Sequence, residues 1–202
     1  MLELYEDKSI SAEDKEYFYT NIKELSISCK ETLDKLLFWG KANMKKMIVN
    51  PQTIASKAHI TNCLKLVKSA ATQKNITIND LTTHDLRIYA DPEHFEFVTR
   101  NLVANAIKFT FKNGNVDINS DIQRVPGFTV FSIKDTGRGI EPDKIPGIFD
   151  GVQKGSFGTA NEAGTNIGLM LCKEFVTENG GKIWVKSELG KGSTFFFSVK
   201  SA

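Results

Sequence analysis

Asn101, Asn105 and Lys108 follow one another at spacings of four and three, which sets two carboxamides and an ammonium on one face of a helix. Carboxamide oxygens are hard ligands that suit magnesium, and the ammonium is a point charge for a phosphate. Further along, Phe131-Ser132-Ile133-Lys134 runs into Asp135-Thr136-Gly137-Arg138-Gly139-Ile140. A carboxylate at a strand end can accept a hydrogen bond from the exocyclic amine of adenine, and glycines let backbone approach a flat base or a phosphate. A third group, Gly164-Thr165-Asn166-Ile167-Gly168-Leu169, falls where a loop turns into a helix, and the free N–H groups of a helix start bind phosphate.

Each group has a plainer reading when it stands alone. The first could be a solvated polar face. Asp-Thr-Gly also opens aspartic protease sites, but those need a second carboxylate and a small residue after the glycine, whereas Arg138 follows here and no second copy exists. Residues 151–162 are rich in Gly, Ser, Thr and Asn, as a lid or an ordinary surface loop would be.

The elements that must position these groups come from periodicity. Phe95, Val98, Leu102, Ala106 and Phe109 mark the apolar stripe of a helix from Pro92, and Ile60, Leu64, Val67 and Ala71 mark an earlier one. Ile76, Ile78 and Leu81, then Leu86, Ile88 and Ala90, alternate as strands. Residues 116–125 and 128–133 form a hairpin about Pro126-Gly127. A helix over residues 169–178 ends at Asn179-Gly180-Gly181, and a last hairpin turns at Gly190-Lys191-Gly192. Hairpins with helices between them predict an α+β fold, a mixed sheet covered on one face by helices.

Residues 11–47 are different. Phe18, Ile22, Leu25, Cys29, Thr32 and Leu36 form a single seam of alternating four and three spacing, so this long helix wants a partner helix. Ser11 with Asp14 and Glu16 is a good helix start, and Asn50-Pro51 begins an extended segment. The chain therefore divides into residues 1–48 and residues 49–202.

With 202 residues, 26 Lys plus Arg against 24 Asp plus Glu and a net charge of +2, the chain makes no electrostatic case for nucleic acid or for acidic lipid. Its 41% hydrophobic residues, fourteen of them Phe, suffice for a true core. Cys29, Cys63 and Cys172 allow neither a disulfide framework nor a CxxC metal site. No apolar run is long enough for a membrane span, so a soluble chain in a reducing compartment is expected.

Taken in order, the three groups resemble the catalytic and ATP-binding domain of bacterial sensor histidine kinases of two-component systems, and the run Leu171-Cys172-Lys173-Glu174-Phe175-Val176 through Ile183-Trp184-Val185 is similar to hybrid-type sensors in particular. Asn101 to Thr110 is similar to the family's asparagine box, Asp135 to Ile140 to its first glycine box and Gly164 to Leu169 to its second; Ile148-Phe149 stands where its phenylalanine box falls. The resemblance implies a two-layer α/β sandwich of the Bergerat type, preceded by a long helix from a dimerisation hairpin. It implies ATP and Mg2+ as cofactors, with Asn105 and Asn101 on the metal and Lys108 on the phosphates. Phe109 would lie against adenine, Asp135 would accept from its amine, and Gly137, Gly139 and Ile140 would shape the pocket. Thr194 would hold the base through water, and Gly164, Thr165, Gly168 and Leu169 would form the phosphate end of the lid.

The resemblance also implies partners: a second copy through the N-terminal helix, and a response-regulator receiver domain. It implies a cytoplasmic fragment whose parent could carry an anchor in the bacterial inner membrane. Gyrase-like and chaperone ATPases place a Glu at the position of Asn101; an amide is no general base near neutral pH, which favours a domain that keeps ATP intact for transfer. Asn166-Ile167 departs from the family's Gly-Leu, and the arginine after the phenylalanine box is missing, with Lys154 an uncertain substitute. None of the three histidines stands where the family keeps its phosphoacceptor: His84-Asp85 falls in a strand-patterned stretch after the long helix, and His59 and His94 flank helix starts and read most simply as surface residues. The expectation is a kinase fragment that binds magnesium-ATP without phosphorylating itself; the alternative is a degenerate nucleotide-binding scaffold acting as a dimer partner.

Overall fold

The computed structural model describes residues 49–82, 86–150, 158–160, 162 and 167–202, together with residues 11, 15, 18, 19, 22 and 40, and only the backbone of residues 122–124. Backbone contacts divide the chain into two units, Met1–Met47 and Ile48–Ala202. In the first, the described residues after Ser11 are helical, and Lys15 N donates to Ser11 O at 3.0 Å. Phe18 and Ile22 of the expected seam are 53% and 46% exposed; the seam from Leu25 onward lies outside the described residues.

The second unit runs β1 (Gln52–Ala55), α1 (Ser56–Gln73), β2 (Thr77–Asp80), β3 (Arg87–Ala90), α2 (Pro92–Phe109), β4 (Asn115–Val125), β5 (Phe128–Asp135), a 3-10 turn (Pro142–Lys144), α3 (Ile167–Glu178), β6 (Ile183–Glu188) and β7 (Gly192–Ser201). Its sheet has the order β1-β3-β7-β5-β4-β2, with β6 also paired to β7. Every described pairing is antiparallel except β2 with β4, so the sheet is mixed as expected. The extended segment after Pro51 is β1, and the first hairpin turns at Pro126-Gly127 with Gly127 at φ 76°.

Two signals in the sequence fix the ends of the helices that matter most. Asp91 caps α2: its Oδ1 accepts from Glu93 N at 2.9 Å and His94 N at 3.3 Å, and Pro92 takes the first helical position, where no N–H is needed. At the end of α3, Gly181 N donates to Val176 O and Gly180 N to Thr177 O, both at 2.8 Å, with Gly180 at φ 74°. That pattern is a Schellman stop, which only a residue tolerant of positive φ can make.

The helices form one layer, with α2 between α1 and α3. Phe95 of α2 meets Phe131 of β5 at 5.2 Å and Phe197 of β7 at 5.9 Å between ring centroids, and the two strand rings lie 5.2 Å apart. Alternation along β7 puts Phe195, Phe197 and Val199 on this helix-covered face, opposite Ile133, Phe131 and Thr129 of β5. The same alternation carries Asp135 onto that face at the end of β5, directly below the C-terminal end of α2.

Candidate nucleotide site

The last turn of α2 is the junction of the site. Its final carbonyls have no partners within the helix, and each is met from another part of the chain or from the following residue. Ala106 O accepts from Thr110 N and Thr110 Oγ1, Ile107 O and Lys108 O both accept from Lys74 Nζ at 2.9 Å, and Phe109 O accepts from Arg138 N at 3.1 Å. The asparagine-bearing helix is thus locked to the loop that follows Asp135.

Asp135 is 2% exposed. Its Oδ1 accepts from Gly137 N at 2.9 Å and from Ser193 N at 3.2 Å, and among the described residues nothing donates to Oδ2. Burial pushes the carboxyl above its ordinary value of 3.8, and the two amides pull against that shift. The result is a buried acid oriented by one oxygen, with the other left to accept.

The glycines around it have no room for a side chain. A Cβ on Gly137 would lie 2.8 Å from Asp135 Oδ1 and would collide with the backbone carbonyl of Phe109. Gly139, at φ 72°, would collide with the carbonyl of Glu188, and Gly190 N closes that approach by donating to Arg138 O at 2.7 Å. Ile140 N donates to Ser187 Oγ at 2.9 Å, which ties the loop to β6.

On α2, Asn101 donates through Nδ2 to Phe97 O at 2.9 Å, and its Oδ1 faces Gly168 of α3, where a Cβ would stand 2.7 Å away. The asparagine group and Gly168 of the second glycine group therefore meet. Asn105 and Lys108 lie half-buried on the following turns, and Leu169 in the first turn of α3 is buried. Phe109 carries Arg138 Cζ at 4.8 Å and Lys108 Nζ at 5.1 Å from its ring centroid. Phe149 packs edge-on against Phe195 at 6.2 Å, and Lys173 of α3 pairs with Asp150 at 2.8 Å. Gly164, Thr165, Asn166 and Lys154, and the His84-Asp85 pair, lie outside the described residues; His94, expected at the surface, is instead 2% exposed and stacked on Phe175 of α3.

One expected residue is not brought to the site. Thr194 pairs with Lys134, while Asp135 shares its face with Ile133 and Phe131, so Thr194 belongs to the opposite face of the sheet. The residue beside Asp135 is Ser193, whose hydroxyl lies 3.0 Å from Ser187 Oγ. A one-residue step along a strand exchanges faces, and sequence position alone did not set that step.

The residues fit an adenine nucleotide: an open carboxylate oxygen at the bottom of a glycine cradle, an ammonium and two carboxamides on the neighbouring helix. No group of three His, Cys, Asp or Glu side chains that could hold a metal occurs among the described residues. The donor set here is carboxamide, which suits an ion that keeps most of its ligands as water and phosphate oxygen, as magnesium does.

This fold and site define an ATP-binding domain of the type shared by histidine kinases, DNA gyrase B and HSP90. The chain belongs to that family, described as "Histidine kinase-, DNA gyrase B-, and HSP90-like ATPase", which matches residues 90–202. It is 34% identical over 181 residues to the adaptive-response sensory kinase SasA of Synechococcus elongatus, across 89% of this chain and 45% of that protein. It is 37% identical over 110 residues to the sensor protein SrrB of Staphylococcus aureus, across 54% of this chain and 18% of that one. The catalytic domain of histidine kinase ThkA superposes with a TM-score of 0.65 at 27% identity, covering 75% of this chain and 98% of that domain. Full-length ShkA in complex with AMPPNP shares the fold at a TM-score of 0.74 and 24% identity, over 96% of this chain and 40% of that one. The chain spans less than half the length of SasA. It carries the ATP-binding domain of the sensor histidine kinases, in the Bergerat-type sandwich.

Proposed function

We propose that residues 49–202 bind ATP with Mg2+ and present its γ-phosphate to a histidine outside this sequence, for relay to an aspartate of a response-regulator receiver. The observation that carries this is Asp135, buried with one oxygen held by two backbone amides and the other open above a glycine cradle. In this reading Asp135 Oδ2 accepts from the adenine amine, Gly137, Gly139 and Ile140 bound the base, and Phe109 lines it. Lys108 meets the phosphates. Asn105, helped by Asn101, would ligate the magnesium, which supplies charge neutralisation on the phosphates when bound. Gly164, Thr165, Gly168 and Leu169 close the phosphate end.

Residues 1–48 are, in the same reading, part of a dimerisation hairpin, and Phe18 and Ile22 lie on the face that a second copy covers. The related kinase ThkA has been crystallised with its response regulator TrrA, and a receiver is the partner this chain would serve. No helix among the described residues is long and apolar enough to cross a membrane; in the same reading the segment acts in the cytoplasm.

Calorimetric titration of the 202-residue chain with AMPPNP tests the reading. Binding that strengthens with Mg2+ is expected, and no binding in either condition refutes it. Supplying the chain in trans with a kinase helix that carries a histidine, then looking for acid-labile phosphate, separates a competent kinase from a nucleotide-binding scaffold.

A further inference from the structure

Lys74 closes α1, and its side chain is only 13% exposed, yet its ammonium meets four oxygens. Two are the α2 carbonyls of Ile107 and Lys108, at 2.9 Å each; the others are Thr159 Oγ1 at 2.5 Å and Glu162 Oε1 at 3.2 Å, from a stretch 85 and 88 residues further on. A cation at this helix end is favoured by the helix dipole. The ion pair extends that cap to a second segment.

That segment is fastened from its own side as well. Thr159 N donates to Lys108 O at 3.0 Å, Thr159 Oγ1 to Thr110 O at 2.7 Å, and Gly158 N to Glu162 O at 2.9 Å, while Glu162 Oε2 accepts from Ala160 N at 2.8 Å. A Cβ on Gly158 would stand 2.6 Å from Lys108 Cγ, so the turn is packed on the stem of that lysine. Burial works against ionising Glu162, but the amides of Glu162 and Ala160 and the Lys74 ammonium outweigh it and hold its carboxyl below the ordinary value.

We infer that Lys74, Thr159 and Glu162 are a clasp that holds residues 158–160 and 162 on Lys108 and so aims the Lys108 ammonium at the phosphates of the nucleotide. They are positioning residues: none touches the base, and they act through the carbonyl and stem of Lys108. The inference rests on the reading that Lys108 meets phosphate.

Two measurements on the 202-residue chain test it. Without nucleotide, amide exchange at Gly158 and Thr159 should quicken in Glu162→Gln and Lys74→Met, which reports the clasp alone. With magnesium, AMPPNP should bind about tenfold more weakly to Glu162→Gln, the loss of one charge-assisted hydrogen bond, while AMP, which lacks the outer phosphates, should change less than about twofold. Glu162→Gln leaves both α2 carbonyls capped, so it keeps the test open if Lys74→Met fails to fold. Unchanged AMPPNP affinity, or an equal loss for AMP, overturns the clasp. A wild-type chain that binds neither nucleotide overturns the ATP reading and the positioning role with it, whatever the exchange shows.

Discussion

Asp135→Asn separates the adenine contact from the fold that holds it. Asparagine is nearly isosteric, and its Oδ1 can keep both amide contacts, from Gly137 at 2.9 Å and Ser193 at 3.2 Å. The change falls on the other side of the group, where the accepting Oδ2 becomes an NH2 that faces the amine of adenine with donor against donor. A hydrogen bond to a charged group contributes about 1.5–3 kcal/mol, so adenine nucleotides should bind about 10- to 100-fold more weakly. GTP offers an oxygen where ATP has the amine and should lose less, or gain. Stability should move the other way, because burial raises the carboxyl above 3.8. A raised acid contributes stability that is full below 3.8 and is lost as pH rises through the folded value; the asparagine variant escapes that loss. Calorimetry with AMPPNP and GTP, beside urea unfolding from acid to neutral pH, reads both effects. Equal weakening of AMPPNP and GTP would refute the assignment of Oδ2 to the base, and a variant less stable at neutral pH would refute the reading of Asp135 as an acid destabilised by burial.

The strand register makes a paired prediction: Ser193→Val should weaken AMPPNP severalfold by calorimetry, and Thr194→Val should leave it unchanged, an order that reverses if the register is wrong. Gly137→Ala should cost about 1–3 kcal/mol in urea unfolding, since its Cβ meets the Phe109 backbone. Gly168→Ala meets only the movable Asn101 side chain, so it should change stability by less than about 1 kcal/mol while reducing the magnesium-dependent part of AMPPNP binding. His94 stacks on Phe175 at 4.1 Å, and Asn179 Nδ2 lies 3.1 Å from its Nδ1. Burial lowers its pKa below 6.5 against the pull of Asp91 and Glu93. Its contribution to stability is therefore present above pH 6.5 and lost as pH falls toward the lowered value. His94→Phe keeps the stack and should flatten this acid-side loss in urea midpoints; an unchanged slope would assign it elsewhere.

Much of the architecture was legible because it depends on local chemistry. The α2 stripe with Pro92 at its first position, the Pro126-Gly127 turn and the Asn179-Gly180-Gly181 stop are decided within a few residues by sterics and capping. Asp135 with its two glycines was readable for the same reason: a carboxylate at a strand end and two residues without Cβ can be recognised before their neighbours are known. Thr194 was misplaced because the face of a strand residue depends on register, which β5 and β7 settle between them. Ser187 and Ser193 carried no signal because serine is common in a strand, and Lys74 with Glu162 carried none because they are common residues 88 apart in the chain.

Order along the chain specifies the elements and the chemical inventory: an asparagine-lysine ridge, an acid with two glycines and a helix start among glycines. The tertiary structure decided which of these meet. It brought Lys74 across 88 residues to Glu162 and set Ser193, not Thr194, beside Asp135. Local preference is written along the chain, whereas contact between distant residues is settled by the packing of one helix layer on one face of a sheet.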